Sequence, residues 1–233
     1  MKIKQARDIA KHICGEYCFY KKVSLSSDII CFMKKTALLF LTLLLIIAAQ
    51  AQQRDRLAEL QTGDLLFLSE NSSSMEKAIT ASTGEYTHVA LVECDSADDV
   101  WIIEAMPEKG VRRIPYERFK REHLIWFHLE SCDIYRLTVP FDTAAVIARA
   151  KSLLGKPYDD AFLPDNDAYY CSELIEVVFK DLFPSKPMNW RDADGNLPKY
   201  WQQHFEKLGI PVPEGVPGTN PTDLSRSPLL KKL

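Results

Sequence analysis

From position 60 onward, apolar residues recur at intervals that alternate between strand and helix periods. Asp64-Leu65-Leu66-Phe67-Leu68, preceded by Thr62-Gly63, predicts a strand bounded by a turn. Ser73 and Glu76 stand at capping-box spacing and open a helix with Met75, Ala78, Ile79 and Ser82 on one face, closed by Gly84. The apolar runs His88 to Val92 and Val100 to Glu104 flank Cys94-Asp95-Ser96-Ala97-Asp98-Asp99, which is turn chemistry between antiparallel strands. Further strands are predicted over Val111 to Ile114, Leu124 to Leu129 and Ile134 to Val139, the last stopped by Pro140. Helices are predicted from Asp142 or Thr143 through Leu154, from Cys171 through Leu182, and from Leu197 to Leu208 before Gly209, with a short lead-in helix over Leu57 to Leu60. Pro211 to Pro228 reads as an extended wrap or a loose end. The pattern as a whole is α+β, an antiparallel sheet packed against helices.

The amino-terminal part reads differently. Met33-Lys34-Lys35, an uncharged run from Thr36 to Ala48 and Ala49-Gln50-Ala51 together have the form of a signal peptide over 33–51, with cleavage before Gln52. The alternative is a membrane anchor, although the run falls short of the roughly 18 to 20 residues of a spanning helix. On the signal-peptide reading residues 1–32 are a non-native extension and 52–233 the exported catalytic domain, periplasmic or extracellular, with no stable membrane span. A net charge of −3 gives no basic excess for a phosphate backbone, so no nucleic-acid partner is expected. Cys94, Cys132 and Cys171 are an odd number for an oxidising compartment, and whether the first two pair is open. Neither C-x-x-C nor H-E-x-x-H occurs, so the sequence implies no metal and no cofactor.

Cys171, in Tyr169-Tyr170-Cys171-Ser172-Glu173-Leu174, falls at the first turn of an amphipathic helix. Free N–H groups and the positive end of the helix dipole favour a thiolate there and can bind an oxyanion. The competing reading is a small buried hydrophobe, and a partner base decides between the two. A turn centred near Ser96 places His88 directly opposite Glu104 across the hairpin, close enough for the carboxylate to fix the imidazole tautomer. Glu104 as a solvated strand end and His88 as a satisfied edge histidine are the plain alternatives. His128 is the rival base, whereas His123 and His204 lie in polar, surface-like stretches. Asp64 is a turn or cap residue. Tyr158 and Tyr170 could donate to an oxyanion or a substrate carbonyl, or simply pack.

Five motifs in order resemble the circularly permuted NlpC-type papain-like enzymes of the YaeF/YiiX branch: Gly63-Asp64-Leu65-Leu66-Phe67, Tyr86-Thr87-His88-Val89-Ala90, Ile103-Glu104-Ala105, Gly155-Lys156-Pro157-Tyr158-Asp159 and Tyr170-Cys171-Ser172-Glu173-Leu174. The resemblance spans roughly Leu60 to Pro221. It implies a papain-like, circularly permuted α+β fold with the histidine strand ahead of the cysteine helix. It also implies catalysis by Cys171, His88 and Glu104 on an amide, ester or thioester. The expected function is an exported cysteine hydrolase acting on a small peptide or amino-acid conjugate. An acyltransferase or lipid-like ester hydrolase with the same site, and an inactive binding module, are the alternatives. Lys186 to Pro221, with Trp190, Tyr200 and Trp201, is the expected pocket wall.

Overall fold

The computed structural model describes residues 34–36, 38–42, 60–95, 99–125 and 131–233. The extension, most of the signal segment, the lead-in helix except Leu60, and His128 lie outside those residues. Residues 34–36 and 38–42 are helical, with Thr42 Oγ1 donating to the Leu39 carbonyl at 2.8 Å. Among the described residues no helix is long and apolar enough to cross a membrane.

From Leu60 on, the elements are β1 (Leu65–Ser69), α1 (Ser74–Thr83), β2 (His88–Cys94), β3 (Val100–Met106), β4 (Gly110–Pro115) and a single turn α2 (Tyr116–Phe119). A π-helix (Lys120–Ile125) follows, then β5 (Ser131–Leu137), α3 (Thr143–Ser152), α4 (Cys171–Phe179), β6 (Lys186–Pro187), α5 (Lys199–Leu208), β7 (Pro217–Gly218), α6 (Pro221–Ser225) and β8 (Leu230–Lys232). One sheet runs β4-β3-β2-β1-β5-β8 with every neighbour antiparallel, and β6 pairs with β7 apart from it.

Helices cover both faces of the sheet, which is why β1 and β2 are apolar almost throughout. Leu65, Phe67, Val89, Leu91, Ile103 and Ala105 pack with Leu174, Ile175 and Val178 of α4. Each such side chain contributes about 1.5–3 kcal/mol when fully buried, so α4 is fixed firmly against β2 and β3. The alternate positions Leu66, Leu68, Ala90, Val92, Ile102 and Ile114 pack with Phe119 on the other face.

The antiparallel sheet and flanking helices agree with the α+β papain-like expectation, and the Ser73–Glu76 capping box forms at the start of α1. Two expectations change. Leu124 and Ile125, expected to begin a strand, close the π-helix instead, because His123 and the turn around it are drawn into the interior by buried polar partners, and the rest of that expected strand, 126–129, lies outside the described residues. The tail is no loose end: α6 buries Pro221, Thr222 and Leu224, and β8 adds a sixth strand beside β5.

Candidate active site

His88 opens β2 at the end of the sheet, and Cys171 is the first residue of α4. The helix starts there because Tyr170 is extended, at φ −90° and ψ 172°, and its N–H donates to Glu173 Oε2 at 3.3 Å. Leu174 N–H makes the first α-type bond, to the Tyr170 carbonyl. The N–H groups before it have no intrahelical acceptor, so they form a donor cluster at the thiol.

His88 Nε2 lies 2.8 Å from Glu104 Oε2, with both residues buried. The hairpin register differs from the expected one. Leu91 pairs with Ile103, which places Glu104 opposite Ala90, two positions from His88. A slip of two residues preserves the face, so the side chains meet diagonally across the strands. With Nε2 at the carboxylate, Nδ1 is the ring atom left for Cys171, whose influence is among the causes that raise the imidazole. Burial alone would push the imidazolium down. The charges of Cys171 and Glu104 prevail and raise His88 to about 10.

Four residues that the sequence pattern did not assign to the site complete the cluster: His123, Glu70, Arg112 and Glu122. His123, fully buried rather than surface-like, places Nε2 3.0 Å from the same Glu104 Oε2 and Nδ1 2.8 Å from Glu70 Oε1. Its ring stacks on His88 at 5.2 Å and 15°. Arg112, opposite Glu104 on β4, donates to Glu104 Oε1 through Nε at 2.9 Å and a terminal nitrogen at 2.5 Å. Its other terminal nitrogen is 2.8 Å from Glu122 of the π-helix. Burial would raise the Glu104 carboxyl, but His123 and His88 hold it well below the usual range. The Glu104–Arg112 opposition was readable from the β3–β4 turn around Gly110. The meeting with Glu70 and His123, 34 and 19 residues away in sequence, was not.

His88, Glu104 and His123 each offer a donor atom within 4.8 Å of the others, a separation that a transition-metal ion could span. The set fits protons better than a metal. Arg112 is a fixed cation on the carboxylate, and the ring nitrogens already satisfy the remaining oxygen at hydrogen-bond distance.

Beside Cys171 lies a small, open, mostly apolar cleft, walled by Ile79, Phe162, Met188, Trp190 and Trp201 together with Tyr158 and Tyr170. The segment expected to form the pocket wall supplies Met188, Trp190, Trp201 and Thr219; Tyr200 stands outside the lining. Tyr158 titrates well above the usual phenol range because it is buried and Cys171 opposes a second negative charge. Tyr170 Oη accepts from Thr219 N–H at 3.0 Å, and Ser172 Oγ donates to the Thr219 carbonyl at 3.1 Å, so both pin the cavity edge to α4. Gly218 fits there because a Cβ would come within 2.8 Å of Tyr170 Oη and 2.9 Å of Met188 Cγ. Asp64 accepts from Gln61 N–H and pairs with Arg136, consistent with a turn residue away from this cluster.

A helix-borne cysteine, a strand-borne histidine and an antiparallel sheet, in the chain order histidine then cysteine, define a papain-like cysteine hydrolase with permuted topology. The chain belongs to the YaeF/YiiX, C92 family of permuted papain-like amidase enzymes, whose model matches residues 59–233. Among solved structures it is similar to the metalloprotein YiiX from Escherichia coli O157:H7, with a TM-score of 0.62 and 22% sequence identity over 74% of this chain and 96% of that one. None of the curated proteins compared with it matches.

Proposed function

We propose that this amidase is exported and cleaves an amide bond of a small peptide or amino-acid conjugate through Cys171, His88 and Glu104. The observation that carries the reading is the buried His88–Glu104 pair at 2.8 Å, whose imidazole is raised by Cys171, the residue that opens α4. In the resting pair the proton sits on His88 and the negative charge on sulfur. The thiolate attacks the carbonyl carbon, and the free N–H groups at the start of α4 together with the Tyr158 hydroxyl, which lines the same cavity, serve as donors to the developing oxyanion. As the tetrahedral species collapses the C–N bond breaks, and His88 gives its proton to the leaving amine. Water then attacks the thioester, His88 takes the water proton, and the carboxylic acid leaves with the thiolate restored. Glu104 keeps the ring aimed and compensates its charge in both half-reactions. Export rests on the signal-peptide form of residues 33–51.

The apolar cavity favours one second reading, in which an acyl chain occupies it and the acyl-enzyme is passed to an alcohol or amine. Intact-mass spectrometry during turnover, with and without an added amine acceptor, separates the two. Hydrolysis predicts an acyl adduct on Cys171 that decays to free acid at a rate independent of the acceptor. A product that carries the acceptor supports transfer, and the absence of any adduct or product on amide and ester panels contradicts both.

A further inference from the structure

We infer that the buried Glu70–His123 pair is a positioning device for the cysteine site, gripping the Glu104 carboxylate so that it stays a charged, aimed partner for His88. The inference rests on the Cys171–His88–Glu104 reading and extends it to residues that touch no substrate.

Geometry carries it. His123 meets a carboxylate at each ring nitrogen, Glu70 at 2.8 Å and Glu104 at 3.0 Å. An imidazole that donates at both nitrogens is an imidazolium, a cation rather than a neutral spacer. It reaches the same Glu104 oxygen as His88, while Arg112 takes the other oxygen. The π-helix organises both grips, since the adjacent residues Glu122 and His123 hold Arg112 and Glu104 respectively. Every element packed here brings a charged or titratable group: Glu70 after β1, His88 on β2, Glu104 on β3, Arg112 on β4, Glu122 and His123 on the π-helix, and Cys171 on α4. With Cys171 as thiolate, the anions Glu70, Glu104 and Cys171 face the cations Arg112, His88 and His123, while Glu122 shares Arg112 with the cluster and pairs outward with Lys109 and Arg118. Burial and the nearby His88 charge would lower His123, yet Glu104 and Glu70 raise it, and His123 is foremost among the partners that depress Glu104.

Without His123 the buried carboxylate takes a proton at higher pH, and a positive charge that favours the thiolate is lost. Both changes act in the same direction on one observable, the low-pH edge of Cys171 alkylation. The test measures that edge with iodoacetamide in the full chain, located by mass spectrometry, for wild type, His123→Gln, Glu70→Gln and Glu70→Asp. His123→Gln keeps an N–H for Glu104 but no charge, and its edge moves up by roughly one pH unit. Glu70→Gln moves it less, and Glu70→Asp restores it. A packing role alone would lower thermal stability and leave the edge unmoved, and folded variants with the wild-type edge overturn the inference. Should the variants fail to fold, ¹⁵N-histidine NMR of the wild-type chain decides: a His123 ring protonated at both nitrogens at about pH 8 supports it, and a neutral ring overturns it. If wild-type Cys171 shows no low-pH reactivity at all, the cysteine reading falls and takes this inference with it. If wild type reacts and the variants match it, only the positioning role falls.

Discussion

At Glu104 one fully buried carboxylate is shared among two imidazoles and a guanidinium, and each partner is itself held by another element. An uncompensated carboxylate in that position would cost several kcal/mol, so the partners come as a set. His88 makes the energetic consequence measurable. Its folded-state value is raised from 6.5 to about 10, so the stability it contributes is complete below about 6.5 and fades as pH climbs toward about 10. Glu104 is depressed, so its contribution is present above its ordinary 4.5 and is lost only as pH falls through its lowered range. The difference in Tm between wild type and His88→Ala is therefore expected to be largest in mildly acidic solution and to narrow on the alkaline side. Thermal melts across pH check this, and a difference independent of pH would contradict it. The residue pattern revealed His88 and Glu104 because both sit on strands with a readable face. His123 eluded the same reasoning: Lys120-Arg121-Glu122 beside it look solvated, and nothing local indicates that the next side chain turns inward to Glu70 and Glu104.

Among the elements, α4 was the most legible. Its apolar stripe and the Phe183-Pro184 stop are local features, and the helix starts at Cys171 as expected, although the α-helix ends at Phe179 and a 3-10 turn over Lys180–Leu182 fills the rest of the expected span. The β2–β3 hairpin was legible in face but not in register. Parity depends only on the two-residue repeat, whereas register depends on turn geometry that the Asp-rich loop leaves undetermined. Leu124 and Ile125 were read as the start of a strand but close the π-helix, because they open a short apolar run, and such runs do not distinguish strand from buried helix. The β6–β7 pair shows how a minor element serves the site. Its Gly218 lets the chain pass beside Tyr170 and Met188, and the Thr219 backbone then bonds to both Tyr170 and Ser172. Gly218→Ala is expected to cost about 1–3 kcal/mol through overpacking and to narrow the cavity beside Cys171. Urea denaturation reads the first effect and KM the second; an unchanged midpoint with unchanged KM would mean that the segment yields freely.

Over the whole molecule, chain order determines how the site is assembled. The sheet supplies His88, Glu104 and Arg112 from three adjacent strands before the chain reaches α4, and α4 then docks Cys171 at the sheet end through Leu174, Ile175 and Val178. The family match over 59–233 accords with this permuted order, which was legible in the sequence because the five motifs keep their sequence even where register and local structure were misread. The apolar cavity and the tail that closes it depend on contacts between Ser82 and Trp190, 108 residues apart, and between Tyr86 and Thr222, 136 apart, which no local pattern announces. The account stands or falls on whether Cys171 is an activated thiolate paired with His88. The decisive measurement is the rate of Cys171 alkylation against pH in the wild-type chain and in His88→Ala, with Cys94 and Cys132 as internal references. The account predicts that Cys171 labels far faster than either reference at about pH 6, holds that rate through neutral pH, and loses the advantage in His88→Ala. Labelling of Cys171 that matches Cys94 and Cys132 at every pH and is indifferent to His88→Ala would contradict it.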